Sequence, residues 1–213
     1  AMRFVDSLSV QERRNTKILV TRGEDLSTAH IPNVLSLDEY IGGINGRWLT
    51  EILHQDRLTH FFHPILGTDG SPFGYEMLIR GLDHEGGIIN AGALFESAAT
   101  PNLIAALDRS ARIGAVRRAG ELPDGQRMFI NFVPSSIYDP SYCLRSTVNA
   151  ITRAGQPAER FVFEIVESDR IDDYSHLKEI VDFYRDNGFA VALDDFGTGY
   201  NNLYSLLSLK PDY

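Results

Sequence analysis

From residue 47 onward, short apolar runs alternate with longer stretches in which apolar residues return every three or four positions. Residues 59–66 and 73–80 read as two strands on either side of Gly67-Thr68-Asp69-Gly70-Ser71-Pro72, which predicts an antiparallel hairpin. Residues 91–100 and 102–120 predict helices, the second carrying Leu103, Leu107, Ala111 and Gly114 at helical spacing. Three strand–helix units follow. Residues 127–133 read as a strand, with Leu144, Val148 and Ile151 as the helical stripe after it. Residues 161–166 form the next strand; Leu177, Ile180, Val181 and Tyr184 mark a helix that should stop at Gly188, a natural C′ residue. Residues 189–193 form a further strand, and Leu203, Leu206, Leu207 and Leu209 line a last helix. Strands apolar on both faces and separated by amphipathic helices predict an α/β fold on a parallel sheet covered from both sides.

Residues 2–46 are different. They are polar, lack a strong period and end in the turn-rich Ile41-Gly42-Gly43-Ile44-Asn45-Gly46, so residues 1–46 read as an extension or the tail of a preceding region. A short helix with Trp48, Leu49, Ile52 and Leu53 on one side then opens a main unit over residues 47–213.

Five polar residues stand where the predicted strands end: Glu76, Asn131, Glu164, Asp194 and Asp195. The last three strands recur at close to the roughly 30 residues of one strand–helix repeat, so successive units would deliver these oxygens to one rim of the sheet. Oxygen donors of this kind suit hard dications such as Mg²⁺ or Mn²⁺, which points to metal-assisted chemistry on a phosphate. Each residue also has a plainer reading. Glu164, between Phe163 and Ile165, and Glu76, within Tyr75-Glu76-Met77-Leu78-Ile79, could each be half of a buried ion pair with an arginine. Asp194 and Asp195 could cap a helix or a turn, and Asn131 alone more often marks an amide satisfied by backbone. The Gly197-Thr198-Gly199 loop directly after the aspartates is of a kind that closes over ligands. Arg80 either holds a phosphate oxygen in its planar fork or makes a surface ion pair. His63, in a half-buried strand, reads first as a structural residue; His30, His54, His60, His84 and His176 show no metal-ligand spacing, and Cys143 reads as packing or surface.

Composition narrows the function class. With 213 residues the chain holds one domain and perhaps an appended segment, and a net charge of −9 provides no basic stripe for DNA or RNA. One cysteine rules out an internal disulfide and fits the cytoplasm, and no apolar run is long enough to span a bilayer. A phosphorylated ligand stays compatible with the acidic balance, because bound dications reverse the local charge.

The motif Tyr75-Glu76-Met77-Leu78-Ile79-Arg80 resembles the signature of EAL domains, bacterial phosphodiesterases that cleave cyclic di-GMP. The likeness continues through Phe62-His63-Pro64-Ile65, Asn131-Phe132-Val133-Pro134, Phe163-Glu164-Ile165-Val166-Glu167-Ser168, Asp194-Asp195-Phe196-Gly197-Thr198-Gly199-Tyr200 and Leu209-Lys210-Pro211-Asp212-Tyr213. The resemblance implies a modified TIM-like (β/α) barrel with an antiparallel first strand, incomplete in this chain. It implies two Mg²⁺ or Mn²⁺ ions and hydrolysis of cyclic di-GMP to linear pGpG. Carried over by position, Glu76, Asn131, Glu164 and Asp194 would bind one metal, and Asp194 with Asp195 the second. His63, Leu78, Arg80 and the Gly197, Thr198 and Gly199 loop would meet the substrate, with Glu167 in support. Catalysis would rest on Glu76, Asp194 and Asp195, through in-line attack on phosphorus with both ions stabilising the developing charge.

Four departures qualify the resemblance. Met77 replaces the alanine of the family name, His63 stands where a ligand-contacting glutamine is usual, and Val133 and Val166 replace small hydroxyl residues. After Tyr213 the family continues with a strand bearing a catalytic lysine and with further second-metal and ligand-binding residues. A whole barrel takes about 250 residues, of which 47–213 is roughly two-thirds. The expectation is therefore a fragment with little activity of its own, whose barrel a homodimer partner or another domain completes, and whose sheet edge beside residues 189–193 lies open. A non-catalytic cyclic di-GMP receptor or regulatory module is the alternative, and a barrel enzyme for another phosphodiester a remoter one.

Overall fold

The computed structural model describes residues 8–19, 35–165, 174–194 and 203–213. Helix α1 (Val10–Asn15) opens on a capping box in which Ser9 accepts from the Glu12 amide and Glu12 accepts from the Ser9 amide at 2.8 Å. Strand β1 (Lys17–Ile18) pairs antiparallel with β2 (Leu35–Ser36), and α2 (Leu37–His54) follows. This helix corrects a local expectation, because it runs straight through residues 41–46 where adjacent glycines predicted a turn. Tertiary burial explains it: Leu49 and Ile52 are sealed against Ile79, Leu94 and Leu107, which offsets the roughly 1 kcal/mol that each glycine costs a helix.

The hairpin forms as expected. Strands β3 (Leu58–Leu66) and β4 (Pro72–Leu82) are antiparallel, with His63 opposite Glu76, and β5 (Ile88–Ile89) adds to the far end of β4. Two helices follow, α3 (Ala91–Glu96) and α4 (Pro101–Arg117), both shorter than their periodicity predicted. The break has a local cause: Thr100 accepts from the Leu103 amide at 3.3 Å and Pro101 takes the first helical position, so a new helix must start there. The remaining elements are β6 (Arg127–Phe132), α5 (Pro140–Cys143), α6 (Arg145–Ala154), β7 (Phe161–Ile165), α7 (Tyr174–Asp186), β8 (Ala190–Leu193) and α8 (Leu203–Leu209). Helix α7 ends as its sequence requires: the Phe189 amide reaches the Tyr184 carbonyl and the Gly188 amide reaches that of Arg185, with Gly188 at φ +82°.

The main sheet runs β3-β4-β6-β7-β8, with β4, β6, β7 and β8 parallel and the leading strand β3 reversed. Its residues sort by the two-residue period of a strand. Met128, Ile130, Phe132, Phe161, Phe163, Ile165 and Val191 face the helices and form the larger core with Leu177, Ile180, Val181 and Tyr184. On the other face Phe129, Val162 and Ala192 make a small layer with Ile65 and Ala190. Gly74 clears space for that layer, since a Cβ there would lie 2.8 Å from the Arg127 carbonyl and 3.0 Å from the Phe129 ring.

The open sheet edge expected beside residues 189–193 needs adjustment. The outer edge of β8 is partly used, because the Asp212 amide donates to the Val191 carbonyl at 2.7 Å and the Leu193 amide to the Tyr213 carbonyl at 3.1 Å. Helix α8 is half partnered: Ser205 and Leu209 are buried, whereas Leu207 is 73% exposed.

Behind β3, His60 is buried against α4, where Gly114 leaves room for its ring. Burial pushes its pKa from 6.5 down to about 4. The unfolded chain protonates this imidazole near pH 6.5 while the folded protein resists doing so, so its contribution is intact above pH 6.5 and is lost as pH falls towards 4. Relative to wild type, a His60→Gln variant should therefore lose less stability between pH 6.5 and 4, as read by thermal melts across that range. Parallel melting curves for the two proteins would contradict this.

Candidate functional site

The register of the parallel strands brings the predicted residues together. Asn131 on β6 lies directly opposite Glu164 on β7, and Glu76 on β4 lies opposite Phe129 of β6. Each stands two residues beyond a member of the inner layer: Glu76 after Gly74, Asn131 after Phe129, Glu164 after Val162 and Asp194 after Ala192. A strand repeats its face every second residue, so all four project from the same side of the sheet. Asn131, Glu164 and Asp194 stand at the carboxyl ends of β6, β7 and β8, whereas Glu76, expected at a strand end, lies midway along β4 where its pairing with β6 stops. The Asn131 side chain donates from Nδ2 to Glu76 Oε1 at 2.9 Å, which orients the asparagine oxygen away from Glu76. The Asp194 amide reaches the Ile165 carbonyl at 3.4 Å and so holds the end of β8 against β7.

Glu164 is the unusual member. It is 8% exposed and its Oε2 has no hydrogen-bond partner. Burial first, then the charges of Glu76 and Asp194, push its pKa from 4.5 up to about 8. The competing expectation of an arginine partner is not met, since no cation among the described residues bonds this carboxylate. Nor do three His, Cys, Asp or Glu side chains among the described residues gather closely enough to hold a metal unaided. Asn131 supplies a neutral oxygen in the middle of the row. Asp195, Glu167, Gly197, Thr198 and Gly199 lie outside the described residues.

The remaining predicted residues flank this row. His63 is not half-buried as its strand suggested: its side chain is 65% exposed, with Nδ1 3.5 Å from Glu76 Oε2. Arg80 makes no ion pair among the described residues; its Nη1 donates to the Ile79 carbonyl at 2.7 Å and its guanidinium lies 4.9 Å from the Phe61 ring centre. Leu78 is half-buried and lines a cleft of about 450 Å³ with Phe95, Ile104, Asp108, Asn131 and Val133. The cleft opens where β4 and β6 part company, since their pairing ends at Glu76 and Phe129.

Asp108 and Arg112 were missed by reading the sequence. Both are 1% exposed, and Arg112 donates to Asp108 Oδ2 from Nε at 3.1 Å and from Nη2 at 2.8 Å. The available signal was their four-residue spacing on the same helical stripe as Leu107 and Ala111, which puts a charge pair on the buried side of α4.

The family model described as "EAL domain" matches residues 46–213. The chain belongs to the EAL domain family. Among curated proteins this EAL chain is 31% identical over 173 residues to an Escherichia coli K12 protein described as "Probable cyclic di-GMP phosphodiesterase PdeG", covering 78% of the chain and 33% of that protein. The chain thus spans between a fifth and a third of the length of curated relatives it matches. Among solved structures, a standalone EAL protein from Vibrio cholerae O395 in its c-di-GMP-bound form is 35% identical at a TM-score of 0.62, covering 70% of this chain and 62% of that one. The Bacillus subtilis YkuI protein, solved with c-di-GMP and calcium, shares the fold at a TM-score of 0.66 and 24% identity, covering 77% of this chain and 42% of that one. The arrangement of β3 against the parallel strands is that of the EAL barrel.

Proposed function

We propose that this chain contributes the divalent-metal and ligand-binding rim of a cytoplasmic cyclic di-GMP phosphodiesterase that yields linear pGpG. The observation that carries the reading is Glu164: a buried carboxylate with an orphaned oxygen, beside Glu76, Asn131 and Asp194 and without a cation among the described residues. Leaving such a group uncompensated is costly, and a hard dication is the partner that suits an all-oxygen set. Glu76, Asn131, Glu164 and Asp194 would hold one Mg²⁺ or Mn²⁺, with Asp194 and Asp195 reaching a second. The ions would supply a nucleophile at neutral pH and neutralise charge on the phosphate during in-line displacement.

The protein's own part is positional. Neighbouring strands hold the oxygens in register, and the Asn131 amide fixes one lobe of Glu76. Val162, Phe129 and Ala192 close the floor beneath them against water. Leu78 lines the cleft and Arg80 follows two residues on along the same face of β4, where its planar guanidinium would turn from the Ile79 carbonyl to a phosphate oxygen. His63 stands beside Glu76, within reach of a ligand held there.

Calorimetric titration with cyclic di-GMP in Ca²⁺ and hydrolysis assays in Mg²⁺ or Mn²⁺ separate the readings. Metal-dependent binding that disappears on chelation is expected. Turnover in Mg²⁺ or Mn²⁺, however slow, would exclude the receptor reading, to which His63 in the glutamine position lends weight. Absence of binding with metal present would defeat both.

A further inference from the structure

The end of β6 is held by a buried device on another element. Past Phe129, β6 has lost β4 as a neighbour, yet Asn131 must still be presented to Glu76 and Glu164. The Val133 amide, two residues beyond Asn131, donates to Asp108 Oδ1 at 2.9 Å. The Ser136 hydroxyl, in the turn that follows, donates to Asp108 Oδ2 at 2.8 Å. Arg112 fixes the same carboxylate through two hydrogen bonds and itself donates to Thr147 Oγ1 on α6. One carboxylate on α4 thus receives four hydrogen bonds and ties helix, strand end and following turn together. Its Oδ1 replaces the ladder partner that β4 no longer provides.

We infer that Asp108 is a positioning residue for the metal site, its Oδ1 holding the Val133 amide so that Asn131 is presented at the height of Glu76 and Glu164. The inference rests on the reading of those residues as metal ligands. Outer groups that orient ligands typically change metal affinity by roughly 10–100-fold when removed. A buried ion pair replaced on both sides by apolar residues of similar volume, in contrast, often leaves stability unchanged or higher. The two roles of Asp108, holding the fold and aiming Asn131, can therefore be separated.

The test compares Mn²⁺ affinity, by electron paramagnetic resonance, with melting temperature in three proteins: the parent chain, Asp108→Leu/Arg112→Met and Asp108→Asn. The double variant removes the acceptor for Val133 together with the buried charge of Arg112. It should melt near the parent temperature but bind Mn²⁺ at least about 10-fold more weakly. Asp108→Asn keeps an acceptor oxygen, so it should melt lower yet, while folded, bind Mn²⁺ within about 2-fold of the parent. A folded double variant with parental Mn²⁺ affinity overturns the inference and leaves the metal site standing. So does a folded Asp108→Asn protein whose affinity falls 10-fold or more, which also keeps the test decisive if the double variant does not fold. A parent chain that binds no Mn²⁺ overturns both the inference and the reading beneath it.

Discussion

Glu164→Gln should raise the heat resistance of the metal-free protein at pH 8.5 and abolish the stabilisation that Mn²⁺ confers on the parent. With a folded pKa of about 8 against an ordinary 4.5, the folded protein retains a proton on Glu164 that the unfolded chain has released. The sign follows: across pH 4.5 to 8 the native state binds more protons, so stability from this group is present below pH 4.5 and falls as pH rises through 8. An ionised Glu164 at the top of that window costs on the order of 2–5 kcal/mol, equivalent to roughly 4–20 °C in a protein of this size. Glutamine carries no such charge, so the gap between variant and parent should widen from pH 6.5 to 8.5. That window also lies above the range in which His60 acts in the opposite direction. Since a metal must displace the proton from Glu164, Mn²⁺ binding at pH 7 should release close to one proton. Calorimetry in two buffers of different ionisation enthalpy reads this directly. Equal stability of variant and parent at pH 8.5, or Mn²⁺ binding without proton release, would contradict the account.

Asp108→Ala carries the next largest effect. It strips the partner from a guanidinium that is 1% exposed and leaves the Val133 amide and the Ser136 hydroxyl without their acceptor. Removing one member of a buried pair costs about 3–5 kcal/mol, much of it the penalty for the charge left behind. For this chain length that corresponds to a fall in melting temperature of roughly 6–20 °C, or to no folded protein at all. The partner charge is the decisive factor: adding Arg112→Met to Asp108→Ala should recover much of the loss. A single variant that melts within about 2 °C of the parent would mean that Arg112 finds another way to be satisfied.

How much of this could be read from the chain depends on the range of the forces involved. The hairpin, the parallel strands and the stop at Gly188 follow from two- and three-residue periodicities and from local turn chemistry, and they form where the sequence placed them. So does the row Glu76, Asn131 and Glu164, because alternate residues of register-matched strands share a face. Helix α2 was less legible: its glycines argue locally for a turn, and the packing of Leu49 and Ile52 against three other elements decides otherwise. The division of α3 from α4 was legible, written in Thr100-Pro101, whereas the far ends of both helices were overrun by apolar spacing that continues past them. His63 looked half-buried because its strand is apolar, yet β3 lies at the end of the strand order, and that only topology reveals. Asp108 was hidden for a similar reason. Its four hydrogen bonds come from Arg112 on its own helix and from Val133 and Ser136 some 25 and 28 residues away, with Thr147 joined through Arg112. A charge pair on an apolar stripe was the one available sign.

The most direct measurement is the anomalous scattering of manganese in crystals of this chain grown with Mn²⁺. The account predicts a peak bonded to oxygens of Glu76, Asn131, Glu164 and Asp194, lost in Glu164→Gln. A manganese-free rim, with Glu164 still protonated and the metal bound elsewhere, would contradict it.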